Sequence, residues 1–153
     1  PNTLIVRLQE RRALAIWQRG GSFDLIDQDG AVIGTDGLSR YGHLLVVVGE
    51  GAEREAAHLI GLLEKEPALR NRLEAAVRVG ERRWNLRFKG GIDVRLPEID
   101  VAEAVKRLAE LDRQYDLIGA DIRLIDLRQK DRMVVQPTHE AAERRRLGPG
   151  DRT

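Results

Sequence analysis

The sequence predicts an α+β fold, a mixed and mostly antiparallel β-sheet with helices packed on one of its faces. Three observations predict it. Between residues 76 and 96 apolar side chains recur at every second position, which is typical of antiparallel strands with one face on a core. Residues 101–117 place apolar side chains at helical spacing. The dipeptide Asp29-Gly30, between two strand-like runs, indicates a hairpin.

Length and composition are those of one folded domain. Hydrophobic residues make up 42% of the 153 residues and charged residues 33%, a balance that supports a core and argues against disorder. The 26 basic and 25 acidic residues leave a formal charge of +1, so nothing draws the chain strongly to nucleic acid or to an anionic membrane. The chain has no cysteine, so disulfides and thiolate metal sites are excluded. No run of about 20 apolar residues is present to span a bilayer.

The first third of the chain is strand-like. Apolar residues alternate along residues 4–8, and the chain opens within this pattern without an initiator methionine, so we expect a piece of a longer protein. Further strands are expected at residues 22–27, 31–34 and 44–48. The continuous apolar run of the last of these suits a strand that is buried on both faces.

The middle of the chain changes from helical to strand periodicity. A helix is expected between Gly51 and Glu66, and Pro67 begins a second, short helical stretch that runs to Leu73. From Ala76 the period is two, which predicts a meander of antiparallel strands. The side chains expected in the core are those of Trp84, Leu86, Phe88, Ile92 and Val94. The side chains expected outside it are those of Arg83, Arg87 and Arg95.

The C-terminal part contains one long amphipathic helix and two strands. Asp100 is expected to cap the helix, whose apolar stripe ends at Tyr115, and Gly119 fits its C-terminal end. The two strands are expected at residues 122–128 and 132–136. Pro137 ends the last strand, and the polar remainder, residues 138–153, is expected to be disordered.

The sequence contains no recognisable set of residues that could run a reaction. Neither of the two serines lies in a Gly-x-Ser-x-Gly elbow. The aspartates between residues 24 and 36 lack the order of an EF-hand, so turn formation explains them better. Metal-ligand spacing is also missing from the three histidines, His43, His58 and His139. We therefore expect a protein-binding domain rather than an enzyme, with no metal and no cofactor.

The final strand, residues 132–136, is apolar on both faces although Pro137 and a polar segment follow it. Two interpretations stay open. The strand could pair on both sides within the sheet. Alternatively, it is an edge strand whose free row of backbone donors and acceptors recruits a strand from a partner.

Three segments carry a family resemblance, in matching order and spacing. They are residues 1–18, which begin Pro1-Asn2-Thr3-Leu4, residues 79–97 around Trp84-Asn85-Leu86, and the motif Ile125-Asp126-Leu127-Arg128. Together they resemble the FtsQ family of bacterial cell-division proteins, called DivIB in Gram-positive bacteria. The resemblance covers about residues 1–137.

The resemblance implies a single-pass inner-membrane protein with a POTRA domain and a β domain in the periplasm. Residues 1–10 would be the last strand of a truncated POTRA domain, residues 11–137 the β domain, and residues 138–153 a disordered tail. No catalysis and no cofactor are implied. The implied role is that of a divisome scaffold at the septum, monomeric in isolation, which binds FtsB in complex with FtsL by strand addition to its last strand.

The residues of the implied site can be assigned position by position. Arg128 matches an arginine, and either Arg82 or Arg83 a basic residue, that hold acidic groups of the partner in the family. Gln129 and Pro137 stand where the family often has aromatic residues, so we expect a differently built pocket around Met133 and Val135. The implied partner-binding residues are Arg82, Arg83, Arg128, Gln129, Arg132, Met133, Val134, Val135 and Gln136.

Two alternatives accompany this assignment. The runner-up is an extracytoplasmic chaperone-like or envelope-assembly module that binds extended peptide strands in general. A nucleic-acid-binding role is less favoured, because the aromatic residues that could stack on bases, Trp84 and Phe88, share the buried face with Leu86.

Overall fold

The computed structural model describes residues 2–6 and 11–148. Residues 2–6, where the sequence predicts the first strand, have no regular secondary structure, and the side chains of Leu4, Ile5 and Val6 are exposed. A strand needs a neighbouring strand to which its backbone can hydrogen-bond, and no described strand lies beside this segment. The rest of that predicted strand lies outside the described residues. The domain boundary near residue 10 therefore stays a prediction.

The described chain forms one mixed sheet and four α-helices. The strands are β1 (Ala15–Arg19), β2 (Ser22–Ile26), β3 (Val32–Gly34), β4 (Leu45–Val48), β5 (Leu73–Val79), β6 (Arg83–Phe88), β7 (Ile92–Arg95), β8 (Ile122–Gln129) and β9 (Arg132–Pro137). The helices are α1 (Ala52–Glu64), α2 (Pro67–Arg70), α3 (Val101–Tyr115) and α4 (His139–Arg146), and a 3₁₀ turn covers Leu38–Tyr41. The strand order is β3-β2-β1-β4-β5-β6-β7-β8-β9.

The predicted fold class is confirmed. Neighbouring strands are antiparallel except for β1–β4, β4–β5 and β7–β8, which are parallel. Parallel neighbours require a long crossover. The helices α1 and α2 connect β4 to β5, and α3 connects β7 to β8. α1 contacts β1, β4 and α3, so the two long helices share one face of the sheet, and the core lies between them and the strands.

The register predicted for the central meander is also confirmed. The side chains of Trp84, Leu86, Phe88, Ile92 and Val94 are at most 4% exposed and belong to the core. Phe88 pairs with Ile92 and Leu86 with Val94 across β6 and β7. On the other face, the guanidinium of Arg87 bonds to the carboxylate of Asp93 at 2.8 Å. A one-residue slip would have exchanged these two sets.

Two local expectations were wrong, and a third was right in position only. In β4 only Leu45 and Val47 are fully buried, because the described helices cover one face of the sheet and leave Val46 partly exposed on the other. Asp100 does occupy the N-cap position of α3, but its backbone is left-handed and its side chain makes no capping bond. Tyr115, expected on the buried stripe of this helix, is 62% exposed because it lies in the last turn, beyond the packed part.

The expectation of disorder from residue 138 onward was wrong for residues 139–146, which form α4. The Thr138 hydroxyl caps the helix by accepting a bond from the N–H of Ala141 at 3.3 Å. Arg144 bonds to Asp121 in the loop before β8. The cap, this ion pair and contact with β9 hold the helix. The sequence gives no apolar periodicity that would predict it. Residues 149–153 lie outside the described part of the chain.

Candidate partner-binding edge

β9 forms one edge of the sheet. Within the described chain its only neighbouring strand is β8. The β8–β9 pairing is antiparallel with two irregularities, one before Leu124 and one before Gln129, and both place the extra residue in β8. β9 itself is therefore a regular strand. Of the two interpretations of the final strand, the edge strand is the one that this topology supports.

One hydrogen bond sets the direction of the backbone groups of β9. The N–H of Thr138 donates to the carbonyl of Asp121, next to the start of β8, at 2.9 Å. Successive N–H groups of a regular strand point to opposite sides. The N–H groups of Val134 and Gln136 therefore point to β8, as that of Thr138 does.

The N–H groups of Met133 and Val135 consequently point away from β8, to the open edge. Pro137 has the next outward position, and proline has no N–H to offer. The free ladder thus has two donors and ends at the proline. A strand that pairs with this edge would be short.

Side chains on the two faces of β9 have different surroundings. Val135 lies opposite Ile125, a core residue, and so faces the helices, and Met133 packs partly against the same core. Val134 lies opposite Asp126 on the other face. The side chains of Val134 and Val135 are 44% and 37% exposed. The helix-facing side of β9 is therefore apolar, whereas its other face combines Val134 with Arg132 and Gln136, so the expectation of a strand apolar on both faces holds for one face only.

Arg128 and Asp126 form a tight ion pair beside Val134. The Asp126 carboxylate accepts bonds from Nη2 of Arg128 at 2.7 Å and from its Nε at 3.0 and 3.1 Å, and Nη1 of Arg95 lies 3.9 Å away. The bonds from Arg128 lower the pKa of Asp126 despite burial, which raises it, and the same pairing raises the pKa of Arg128. Arg128 reaches the surface, but it is already paired with Asp126 of its own chain.

Arg128 also shares a groove with three of the other predicted site residues. This groove, the upper groove, is lined by Asp126, Arg128, Gln129, Arg132 and Val134. Nε of Arg132 donates to the side-chain oxygen of Gln129 at 3.1 Å, which orders the turn between β8 and β9. The structure therefore brings four of the predicted residues together on the face away from the helices.

Arg82 and Arg83 lie farther from the edge and on different sides of the sheet. Because Trp84 faces the helices, Arg83 faces the side of Asp126 and Val134, and its Nε is buried without a partner among the described residues. Arg82 lies in the preceding turn, in a groove with Trp84, His58 and Glu98. β6 is three strand positions from β9, roughly 14 Å at the usual strand spacing. Neither arginine contacts β9 directly.

The opposite edge of the sheet is less suited to pairing. β3 has only three residues, Val32–Gly34, and its pairing with β2 is irregular at Leu25/Ile26. Short and irregular edge strands resist further strand addition. β9, with six residues and a regular backbone, is the better template.

The described residues assemble no alternative chemical site. Within residues 2–6 and 11–148 no group of three or more His, Asp or Glu side chains is arranged to hold a metal ion. His43, His58 and His139 are exposed and lie in separate elements. Among these same residues, no helix combines the length and the apolar character needed to cross a membrane.

Sequence reasoning missed two parts of this edge. The first is α4, which lies against β9 and forms a second groove with it. The second is the pairing of Arg128 with Asp126. An acid two residues before an arginine on one strand face predicts such a pair, so the motif Asp126-Leu127-Arg128 held the signal for it.

Comparison with known proteins gives a consistent picture. A family model described as "Cell division protein FtsQ/DivIB, C-terminal" matches residues 15–128. The cell division protein FtsQ of Bradyrhizobium diazoefficiens is 43% identical over 145 residues, which cover 95% of this chain and 42% of that protein. That of Rhizobium radiobacter is 40% identical over 153 residues, covering 100% of this chain and 73% of that protein.

Two further comparisons concern length and fold. The FtsQ protein of Caulobacter vibrioides is 40% identical over 137 residues, which are 90% of this chain and 45% of that protein. The chain thus spans less than half the length of the Bradyrhizobium and Caulobacter relatives. The major extracytoplasmic domain of DivIB from Geobacillus stearothermophilus superimposes with a TM-score of 0.47 at 18% identity, over 71% of this chain and 96% of that chain.

Proposed function

This chain belongs to the FtsQ/DivIB family of cell-division proteins, and from that premise we propose that it is a non-catalytic binding domain of the division machinery. In this proposal the domain captures an extended segment of a partner protein by strand addition to β9. The relatives are named for cell division, and the mode of binding is our inference from the edge of the sheet.

The open edge of β9 is the observation that carries the proposal. Met133 and Val135 direct their N–H groups away from the sheet, and the side chains around them are apolar and partly exposed. Unpaired backbone groups on a regular strand are a template for another strand, and main-chain bonds then supply much of the affinity. The opposite edge, β3, offers no comparable template.

The partner and the location form the finer part of the proposal. By the family resemblance, the partner is FtsB in complex with FtsL, and the domain acts in the periplasm, held by a membrane segment outside this chain. Arg132 borders the edge in the upper groove without an ion pair among the described residues and suits an acidic segment, and Arg128 lies beside it, paired with Asp126. Arg83 faces the same side of the sheet and fits this role better than Arg82, which faces the helices.

The experiment is a titration of the domain with the extramembrane part of an FtsB–FtsL pair. Val135→Pro removes an open-edge donor and puts a proline ring in the path of the added strand, so we expect affinity to fall by about tenfold or more. Val135→Thr is the matched control, because threonine keeps both the N–H and the β-branched shape. Unchanged affinity in a Val135→Pro variant with a native circular dichroism spectrum would place the partner elsewhere.

A general strand-binding module remains the second candidate. Its motive is that the backbone groups of Met133 and Val135 do not read side chains, so the edge by itself accepts many sequences. Competition separates the two functions. A selective scaffold keeps its partner in the presence of excess unrelated strand-forming peptide, whereas a general module loses it.

A further inference from the structure

We propose that the groove between α4 and β9 is a second recognition pocket, which receives a glutamate side chain of the added partner strand. The proposal rests on strand addition at β9, and names a chemical feature of the partner. It assigns a binding role to α4, the element that sequence reasoning expected to be disordered.

The α4 groove has an apolar floor and a cationic mouth. Its lining consists of Ala120, Asp121, Ile122, Val135, Pro137, Ala141, Arg144 and Arg145. The floor comes from β9 and from the loop before β8, and the arginines come from one side of α4, at positions separated from Ala141 by three and four residues. A glutamate side chain fits this groove, because its methylene groups pack against the apolar floor while its carboxylate lies at the cationic mouth.

Of the two arginines of the α4 groove, one is paired with an acidic side chain and the other is not. Arg144 bonds to Asp121, which fixes α4 against the loop before β8. Among the described residues, no acidic side chain forms an ion pair with Arg145. The groove therefore contains one neutralised cation and one that remains to be paired. An anionic side chain of the partner complements this charge.

The position of the α4 groove continues the open edge. Val135, whose N–H points to the partner strand, also lines the groove with its side chain. The groove reaches the edge strand through Val135 and Pro137, so in this proposal a helix-facing side chain of an added strand enters it past these two residues. The shared residue Val135 argues for the same partner as its occupant.

Strand geometry gives the proposal a spacing rule. The α4 groove lies on the helix face of β9, whereas the upper groove with Arg128 and Arg132 lies on the other face. Side chains of a strand alternate between the faces. An acid in the α4 groove and an acid in the upper groove must therefore be separated by an odd number of positions, whichever way the added strand runs.

Two end-blocked nine-residue peptides, each made of two glutamates, four valines and three threonines, test the rule. The glutamates are three positions apart in one peptide and four in the other, so composition and charge are equal. The readout is the shift of the Met133 and Val135 amide signals in the labelled domain during titration. We expect the odd-spaced peptide to bind about fivefold more tightly.

Variants on α4 separate this pocket from general electrostatic attraction. Arg145→Gln should abolish the difference between the peptides, and Arg146→Gln, which removes the same charge outside the groove lining, should preserve it. Equal affinity of the peptides for the wild type, or equal effects of the two variants, would overturn the pocket. If neither peptide binds, or if Val135→Pro leaves binding intact, strand addition itself fails, and the two failures are thus distinguishable.

Discussion

Proline at two adjacent positions of β9 should produce opposite results. Val134 lies opposite Asp126 and points its N–H to β8, whereas the N–H of Val135 points to the open edge. Val134→Pro loses a ladder bond of about 1 kcal/mol and leaves the Asp126 carbonyl without a donor for about 1–2 kcal/mol more. We expect a loss of about 2–3 kcal/mol in the free energy of unfolding. Val135→Pro breaks no internal bond and should cost less than about 1 kcal/mol.

Urea denaturation followed by circular dichroism measures the first effect. With a slope of about 1–3 kcal/mol per molar, Val134→Pro should lower the midpoint by about 0.7–3 M. Partner titration below that midpoint measures the second effect. Val134→Pro should bind within about threefold of the wild type, because both open-edge donors remain, and Val135→Pro should lose about tenfold or more. The reverse pattern would mean that the open-edge donors are those of the even-numbered residues.

Four further outcomes are expected. Arg128→Glu should weaken partner binding by about tenfold because it opposes an acidic segment, and Arg128→Gln should weaken it less, as titration would measure. Pairing lowers the pKa of Asp126 in the folded state. Its stabilisation is present above the unfolded pKa of about 3.9 and disappears as the pH falls through the folded value, so the stability difference between wild type and Asp126→Asn should shrink in acid. Phe88→Ala, at a fully buried position, should lower the free energy of unfolding by about 3–5 kcal/mol. Thr138→Ala removes the α4 cap and should speed amide exchange in α4, with about 1 kcal/mol lost locally and global stability retained.

Periodicity in the sequence predicted the parts of the fold that are stabilised by burial. The alternation around Trp84 and Phe88 set both the strands and their inward face, because a slip by one residue would expose every large side chain of the meander. The long helix α3 followed from its apolar stripe for the same reason. These patterns are strong signals because many side chains along one strand or helix share the same buried environment.

Features that depend on a single interaction could not be predicted in this way. α4 depends on the Thr138 cap and on the bond between Arg144 and Asp121, two contacts in a polar segment. The partial exposure of Val46 reflects a sheet whose helices all cover the same face, a global property that an apolar run does not encode. The sequence predicted which residues form the candidate site. That Arg82 and Arg83 lie on different sides of the sheet could be established only from the observed strand register.

The distribution of the core is consistent with the docking role that we propose for the edge of β9. Ile125 and Leu127 of β8 are almost fully buried, whereas β9 contributes only the partly buried Met133 to the same core. β8 is held from its other side by β7 through a parallel ladder. The apolar core therefore lies almost entirely in β8 and the elements before it, and β9 is an edge strand whose outer backbone groups pair with no other described strand. A partner strand can join there without opening the core, so binding should be governed by edge complementarity rather than by the stability of the domain.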